Sequence, residues 1–128
     1  MIENQPNGTT VRMQLPWPDP ILNPNVHTHW AAKNKPRQIQ REACYYLAKN
    51  TGVELDPAKR YEVRLTFCPP SHAPRDMDNL VAALKSGLDG MCRALGIDDH
   101  QIVPTPDKEW GPVVAAGKVE VTIVEIAS

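Results

Sequence analysis

The sequence predicts a small α+β domain, with a small mixed sheet and two main helices. Three segments alternate apolar and polar residues with the period of two that is typical of half-buried strands: residues 11–15, 60–67 and 117–123. Residues 36–50 and 80–95 repeat apolar residues at helical spacing. With a weaker strand segment at residues 113–114, the predicted order is strand, helix, strand, helix and two terminal strands.

The first strand would place Val11, Met13 and Leu15 on the core side of the sheet. Prolines at positions 16, 18, 20 and 24 end this strand, because proline cannot donate a ladder hydrogen bond. Residues 17–35 are then expected to form a long ordered loop. Loops of this length inside compact domains are often functional.

Both predicted helices have start and stop signals. Pro36 suits a first helical position, and Asn50 with Gly52 ends the first helix. The second helix ends at Gly96, and Asp78 is a candidate for its N-cap. The apolar residues that predict the two helices are Ile39, Ala43, Tyr46 and Leu47 in the first, and Leu80, Leu84, Leu88, Met91 and Leu95 in the second.

The length of 128 residues predicts one domain across residues 1–128, with residues 1–9 as a flexible tail. The three cysteines are odd in number and lie far from any Cys or His at zinc-ligand spacing, so we expect buried thiols in a reducing compartment. No apolar run reaches the ~20 residues of a membrane span, and the first residues lack the features of a signal peptide. A cytoplasmic location is therefore expected.

The overall charge of −1 does not indicate a nucleic-acid partner, but the distribution of charge does. Residues 26–50 carry a net charge of +4, and residues 97–128 carry −4. Cations near an aromatic ring suit a nucleic acid, because they meet phosphates while the ring stacks on a base. The candidate binding residues are His29, Trp30, Lys33, Lys35, Arg37 and Arg41. The alternatives are a surface loop with its tryptophan packed on the core, and a solvated arginine pair.

Two pairs of aspartates flank the second helix, Asp76 with Asp78 and Asp98 with Asp99. Carboxylates gathered in this way suit Mg²⁺, which binds oxygen ligands and substrate phosphates. A helix of 16 residues would separate the two pairs by ~25 Å, so spacing alone does not bring them to one ion. As a structural alternative, an acidic pair in a loop is often only solvated.

Lys85 lies two helical turns after Asp78 and about 20° from the same line, so its side chain would lean back toward the first pair. A plain surface ion pair between Lys85 and Asp89, four residues apart, is the alternative. Geometry on the helix alone favours the ion pair.

Four segments, in this order, resemble the RusA family of Holliday junction resolvases. They are L-P-W-P at residues 15–18, R-D-M-D-N-L at 75–80, D-D-H-Q-I at 98–102 and K-V-E-V-T-I at 118–123. The resemblance covers residues 11–126, and its most specific part is the pairing of R-D-x-D-N-L with D-D-x-Q-I.

The resemblance implies a RusA-like fold and an Mg²⁺-dependent endonuclease that acts as a homodimer on four-way DNA junctions. It implies that Asp76, Asp78 and Asp99 hold the metal, brought together by the fold. Ala82 stands where RusA has a lysine, and Lys85, one turn later, is its expected replacement. Lys85 or Arg75 would then face the phosphate. A nuclease for other branched DNA, and a DNA-binding protein without activity, are the alternative functions.

Overall fold

The computed structural model describes residues 4–5 and 8–126. Within these residues the sheet has five strands. Its strands lie in the spatial order β1-β2-β5-β3-β4, with β3 and β4 parallel and the other neighbours antiparallel. They are β1 (Asn4–Gln5), β2 (Gly8–Pro16), β3 (Tyr61–Cys68), β4 (Ile102–Pro106) and β5 (Lys118–Glu125). The predicted α+β class and mixed sheet are confirmed.

Three α-helices complete the described fold: α1 (Asn34–Lys49), α2 (Met77–Ala83) and α3 (Lys85–Leu95). The strands at residues 11–15, 60–67 and 117–123 are confirmed as β2, β3 and β5. Of the predicted flexible tail, residues 1–3 and 6–7 lie outside the described residues, and Asn4 pairs with Thr9 between β1 and β2. None of the described helices has the length and apolar character that crossing a membrane requires.

The predicted strand at residues 113–114 is wrong, because the strand between β3 and β5 in the chain is β4, which begins eleven residues earlier. Strand β4 contains Pro104 and Pro106, which mask its strand pattern but are tolerated because β4 lies at the edge of the sheet. Val114 instead belongs to a connection, where its backbone N–H donates to the carbonyl of Pro69 at 3.0 Å.

The long second helix is divided at Leu84, which separates α2 from α3. Leu84 has φ −83° and ψ −6°, values that tighten the turn without ending the helical path. The amide of Leu88 still donates to the carbonyl of Leu84 at 3.0 Å. The apolar stripe is buried as expected, and Gly96 ends α3 in the left-handed conformation.

Helix α1 does not use its large apolar residues to pack on α3. Its buried residues are Gln40, Cys44 and Ala48, whereas Ile39 is 57% exposed and Tyr46 is 63% exposed. Close approach explains this choice, since a side-chain carbon on Gly90 of α3 would overlap the carbonyl group of Arg41. The apolar spacing correctly predicted the helix, but those apolar residues are not its core face.

The core lies between one face of the sheet and the helices α1 and α3. Its largest fully buried side chains include Leu15, Leu65, Phe67, Leu84, Met91, Leu95 and Ile123. Trp17 packs edge-on against Phe67 with ring centroids 5.9 Å apart, which anchors the start of the long loop to the sheet. All three cysteines are buried free thiols, as expected.

Candidate active site

The D-D-x-Q motif forms a short capped turn between α3 and β4. The amide of Asp99 donates to the Asp98 carboxylate at 3.2 Å, and the amide of Asp98 donates to the Gln101 side-chain oxygen at 3.0 Å. Gln101 also donates to the carbonyl groups of Pro57 and Lys59, at 2.8 and 2.9 Å. These bonds form a reciprocal capping box that stabilises the turn. Asp98 and Gln101 therefore have structural roles, whereas Asp99 remains exposed.

Asp98, Asp99 and His100 form the candidate cation-binding group of the described chain. One ligand atom from each of them lies within 4.8 Å of the others, and all three are exposed. Two carboxylates beside solvent fit a hard divalent cation such as Mg²⁺, which keeps several waters and needs few protein oxygens. The donor set is therefore chemically compatible with the expected metal.

Asp89 of α3 lies against this group. Partial burial raises the pKa of Asp89 above its ordinary value, and the negative charge of Asp99 raises the pKa further. Lys85 and Arg41 lower it, and Asp89 lines one cleft together with Asp99. In the sequence, Asp89 is only a candidate ion-pair partner of Lys85, because its neighbours from α1 and the capped turn are distant in sequence.

A basic cleft opens beside these carboxylates. Its volume is about 320 Å³, and its charged lining residues are Lys33, Arg37, Arg41, Lys85 and Asp89. A second cleft, of about 520 Å³, is lined by Arg41, Asp89, Arg93, Asp98 and Asp99, among others. Arg41 and Asp89 line both clefts, so the cationic surface leads directly to the acidic one.

The close packing of α1 on α3 creates this junction. Gly90, which contacts the backbone of Arg41, directly follows Asp89. Gln40, on the same turn of α1, donates to the Ala83 carbonyl at 2.8 Å and to the Ser86 hydroxyl at 2.9 Å. Buried Gln40 thus fastens α1 where α2 meets α3. It is a structural residue that the sequence pattern did not reveal.

The first acidic pair does not join the cation-binding group of the described residues. The N-cap of α2 is Asp76, whose carboxylate accepts a hydrogen bond from the Asp78 amide at 2.9 Å. The prediction of Asp78 as the N-cap is therefore wrong. The one group of the described residues whose ligand atoms lie within 4.8 Å of one another contains Asp99 but neither Asp76 nor Asp78. The convergence of the two pairs on one ion therefore stays a prediction.

One helix face nevertheless leads from the first pair to the second. Ala82, Lys85 and Asp89 follow Asp78 at intervals of four, three and four residues, the spacing of one face. These three residues share a small cleft of about 230 Å³ with Asp99. Lys85 therefore lies between Asp78 and Asp89 on this face, and it lines the same cleft as Asp89 and Asp99.

Arg75 is engaged by its own loop. Its guanidinium group donates to the carbonyl groups of Ser71 and Ala73 and to the Ser71 hydroxyl, each at 2.9 Å. It also lies over the Trp17 ring, 5.5 Å from the centroid. These contacts stabilise the loop before α2, at the edge of an apolar cleft of about 1090 Å³ that Asp76 also lines.

The predicted nucleic-acid residues of the long loop are at the surface. Trp30 is 69% exposed and stacks on His29 with centroids 5.9 Å apart, so the alternative of a tryptophan packed on the core is wrong. Lys33 is half-buried and donates to the Asn23 carbonyl at 3.2 Å, whereas Lys35 is exposed and does not line the basic cleft.

No family model matches this chain. A protein of Xylella fastidiosa (strain Temecula1 / ATCC 700964), named only as uncharacterized, is 35% identical over 117 residues, which are 89% of this chain and 76% of that protein. The chain belongs to the same family as this Xylella protein.

Similarity also extends to proteins named crossover junction endodeoxyribonuclease RusA. The one from Escherichia coli (strain K12) is 28% identical over 124 residues, which are 93% of this chain and 98% of that protein. The one from Escherichia coli O139:H28 is 29% identical over 122 residues, which are 91% and 96%. The matches span nearly the whole of both chains, so this protein is a distant relative of the RusA proteins.

Proposed function

We propose that this protein is a metal-dependent endodeoxyribonuclease that cuts four-way DNA junctions. The observation that carries the proposal is the cleft lined by Lys33, Arg37, Arg41 and Lys85, which shares Arg41 and Asp89 with a second cleft that Asp99 lines. Cations that bind a DNA backbone thus lie beside acids that suit a divalent cation. The names of the distant relatives add the branched DNA substrate.

The basic cleft would bind the DNA backbone without reading its sequence. Lys33, Arg37 and Arg41 are spaced by four residues, so they follow one side of the 3₁₀ turn (Trp30–Lys33) and α1. Contacts from such side chains to phosphates fix the register of a protein on DNA. The exposed Trp30 could stack on an unpaired base near the branch point, where stacked base pairs end.

The metal site of the proposal centres on Asp99, with Asp98 beside it. Mg²⁺ held there would supply an activated water and stabilise charge on the leaving 3′ oxygen. Lys85 and Arg41 would face the phosphate and offset its negative charge. Cleavage would then leave a 5′-phosphate and a 3′-hydroxyl.

Asp76 and Asp78 remain proposed ligands because of the R-D-x-D-N-L resemblance. They lie at the start of the face that runs through Lys85 to Asp99, outside the three-residue group. Their participation requires the two ends of this face to draw together when DNA and metal bind. Asp78 is the better candidate for such movement, because Asp76 already caps α2.

A homodimer would supply the two active sites that paired cleavage of a junction needs. The exposed side of α1 carries Ile39, Tyr46 and Leu47, large apolar side chains that suit a protein contact. A second copy of this chain is the proposed partner there, since a two-fold contact uses the same surface on both copies.

The testing experiment is cleavage of a synthetic four-way junction in Mg²⁺, with a linear duplex and a flapped duplex as controls. The proposal expects paired cuts in the junction and little cutting of the duplex. Preferred cutting of the flap would identify a nuclease for other branched DNA. Metal removal with a chelator should stop cleavage and leave junction binding in place.

A DNA-binding protein without activity is a second candidate function. The observation that favours it is the separation of Asp76 and Asp78 from the group around Asp99. Tight junction binding with no cleavage in Mg²⁺ or Mn²⁺ would establish this alternative and overturn the nuclease.

A further inference from the structure

The apolar cleft beside Asp76 is larger than the basic cleft. Its volume is about 1090 Å³, as large as pockets that enclose small organic ligands, which span roughly 300–1,000 Å³. Most of its lining comes from the loop after β2, the first half of α1, the connector before α2, and α2 itself. Its large apolar side chains include Trp17, Val26, Ile39 and Leu80. The cleft therefore offers a planar organic ring a place that is sheltered from water.

A single stretch of the long loop, residues 22–25, separates the apolar cleft from the basic cleft. Its two even-numbered residues line the basic cleft, and its two odd-numbered residues line the apolar cleft. Lys33 of the basic cleft donates to the carbonyl of Asn23 at 3.2 Å, which ties this stretch to the residue before α1. Ala83 of α2 lines both clefts. A DNA strand whose phosphates lie in the basic cleft therefore has its bases within reach of the apolar cleft.

The charges of the two clefts suit different parts of a nucleotide. The apolar cleft is lined by two carboxylates, Asp19 and Asp76, and by the guanidinium group of Arg75, which its own loop engages. A phosphate would be repelled by this carboxylate pair, whereas a neutral base would not. The basic cleft has four cations and one carboxylate, a balance that attracts phosphate.

Asn79 supplies the apolar cleft with a polar group that suits the edge of a base. It lines the cleft and is half-buried in the first turn of α2. Its side-chain amide carries both a donor and an acceptor, the combination that pairs with base edges. Gln40 also lines the cleft, but its oxygen accepts from the Asp19 amide at 3.3 Å and its nitrogen donates to the Ala83 carbonyl. Asn79 is therefore the better candidate to distinguish one base from another.

Packing fixes the wall of this cleft. Trp17 is held edge-on against the buried Phe67, and Gly117 contacts the indole, where an added side-chain carbon would lie 3.0 Å away. The lining also includes prolines, which restrict the backbone, at positions 16, 18, 20, 36, 70 and 74. A wall that is ordered in advance lowers the entropic cost of binding a ligand.

We propose that the apolar cleft captures one unpaired base of a DNA junction while the basic cleft binds the phosphates of the same strand. This inference rests on the proposed function for the substrate. Bases at a branch point are available for capture, because removing a base from the stack costs least where pairing is already weakened. A second copy of this chain, which would reach the cleft through Ile39 of α1, is the competing occupant.

The test uses a set of four-way junctions that carry 2-aminopurine at successive positions around the branch point. Stacking quenches the fluorescence of 2-aminopurine, so removal from the stack raises it. Binding of the whole protein, with a chelator present to prevent cleavage, should raise the fluorescence by about threefold or more at one position at least. The same base in a linear duplex should show little change.

Ala43→Leu fills the cleft without changing its charge. Ala43 is half-buried on α1 and lines the cleft, so the added carbons enter the space proposed for the base. The fluorescence rise should fall to less than about half of the wild-type rise. Ala58→Leu, the same change at an exposed residue that does not line the cleft, is the matched control and should respond as the wild type does.

Asn79→Ala tests base recognition and leaves the cleft open. Wild type should bind junctions that differ only in the captured base with affinities that differ by about threefold or more. Asn79→Ala should bind the same junctions with equal affinity, measured by fluorescence anisotropy. Discrimination that persists in this variant would contradict the role of Asn79.

The competing results are distinct from one another. An unchanged fluorescence rise in an Ala43→Leu protein whose circular dichroism matches wild type would overturn the capture. A rise that is lost in Trp30→Ala but kept in Ala43→Leu would also overturn it, because the unstacked base would then lie on the exposed indole. A changed oligomeric state of Ala43→Leu in sedimentation, with the rise retained, would assign the cleft to a second copy.

Junction cleavage in Mg²⁺, measured in parallel, separates this inference from the proposed function. If the wild type cuts junctions but raises the fluorescence at no position, the capture fails and the nuclease stands. If the fluorescence rise depends on the cleft but no junction is cut, the capture stands and the nuclease fails.

Discussion

The two acidic pairs look equivalent in the sequence but have different surroundings in the fold. Each uses one aspartate to cap a helical turn, Asp76 for α2 and Asp98 for the turn before β4. The first pair lies beside an apolar cleft, where the nearby Arg75 is engaged by its own loop. The second lies beside Asp89 and the basic cleft. Neighbours from distant segments, and not the motif itself, distinguish a site suited to phosphate and metal.

The largest expected effect comes from removing one exposed carboxylate of each pair. Asp99→Asn and Asp78→Asn should each lower junction cleavage in Mg²⁺ by about 100-fold or more, with binding unchanged or tighter because a charge that repels phosphate is gone. Single-turnover cleavage and a gel-shift assay measure the two effects. Cleavage lost only in Asp99→Asn would confine the chemistry to the second pair, and equal cleavage by both variants and wild type would refute their roles.

A change at the α1–α3 contact should break the arrangement that distinguishes the second pair. Gly90→Ala introduces a carbon that overlaps the Arg41 carbonyl, and backbone cannot move as easily as a side-chain tip. We expect a loss of about 2–3 kcal/mol in the free energy of unfolding, measured with urea.

Gly87→Ala is the matched control for this change. Its added carbon would meet the Cys44 sulfur at 2.9 Å, and a side-chain atom can adjust, so the loss should be smaller. Equal losses in the two variants would contradict the close backbone contact.

Charge removal along the basic cleft tests the proposal that this cleft binds DNA. Arg37→Gln with Arg41→Gln should weaken junction binding by about tenfold and lower the salt dependence of binding by about two counterions. Fluorescence anisotropy across a salt series measures both quantities. Arg12→Gln, on the exposed side of β2, is the control, and a similar loss there would place the DNA elsewhere.

The smallest effects concern stability, where the two acidic regions should respond in opposite directions. Partial burial and the Asp99 charge raise the pKa of Asp89, so its ionised form destabilises the folded protein. In the absence of metal at neutral pH, Asp89→Asn should raise the melting temperature by about 2 °C. Asp78→Asn should lower it slightly, because Asp78 lies in the first turn of α2 where negative charge is favourable.

The pH dependence of this effect follows from the raised pKa. As pH rises from the unfolded to the folded pKa of Asp89, the folded protein binds more protons than the unfolded one, so wild-type stability falls. Asp89→Asn should lack that decline. Scanning calorimetry at a series of pH values measures it, and parallel curves for the two proteins would contradict the assignment.

Much of the fold could be predicted from local patterns. Alternation located β2, β3 and β5, and Gly96 marked the end of α3. Strand β4 was missed because its stability comes from pairing with β3, a non-local contact, while its prolines resemble a loop. The division at Leu84 was missed as well, since Leu84 is itself a good helix former.

The candidate site could be predicted only in part. The basic residues of α1 and the D-D-x-Q turn were found from charge and motif, and the structure places Arg41 beside Asp99 in one cleft. The position of Asp89 between them was not found. Helical spacing connects Asp89 to Lys85, but nothing local connects it to Arg41, which lies 48 positions earlier in the numbering.

The sequence by itself determined the α+β class, the buried thiols, the acidic pair after α3 and the concentration of positive charge before and within α1. Each follows from neighbours in the chain, through alternation, capping and composition. Only the tertiary structure decided which acids stand beside which cations. This arrangement depends on Gly87 and Gly90 of α3, which let α1 approach closely. A glycine in the sequence does not indicate which residues will pack against it.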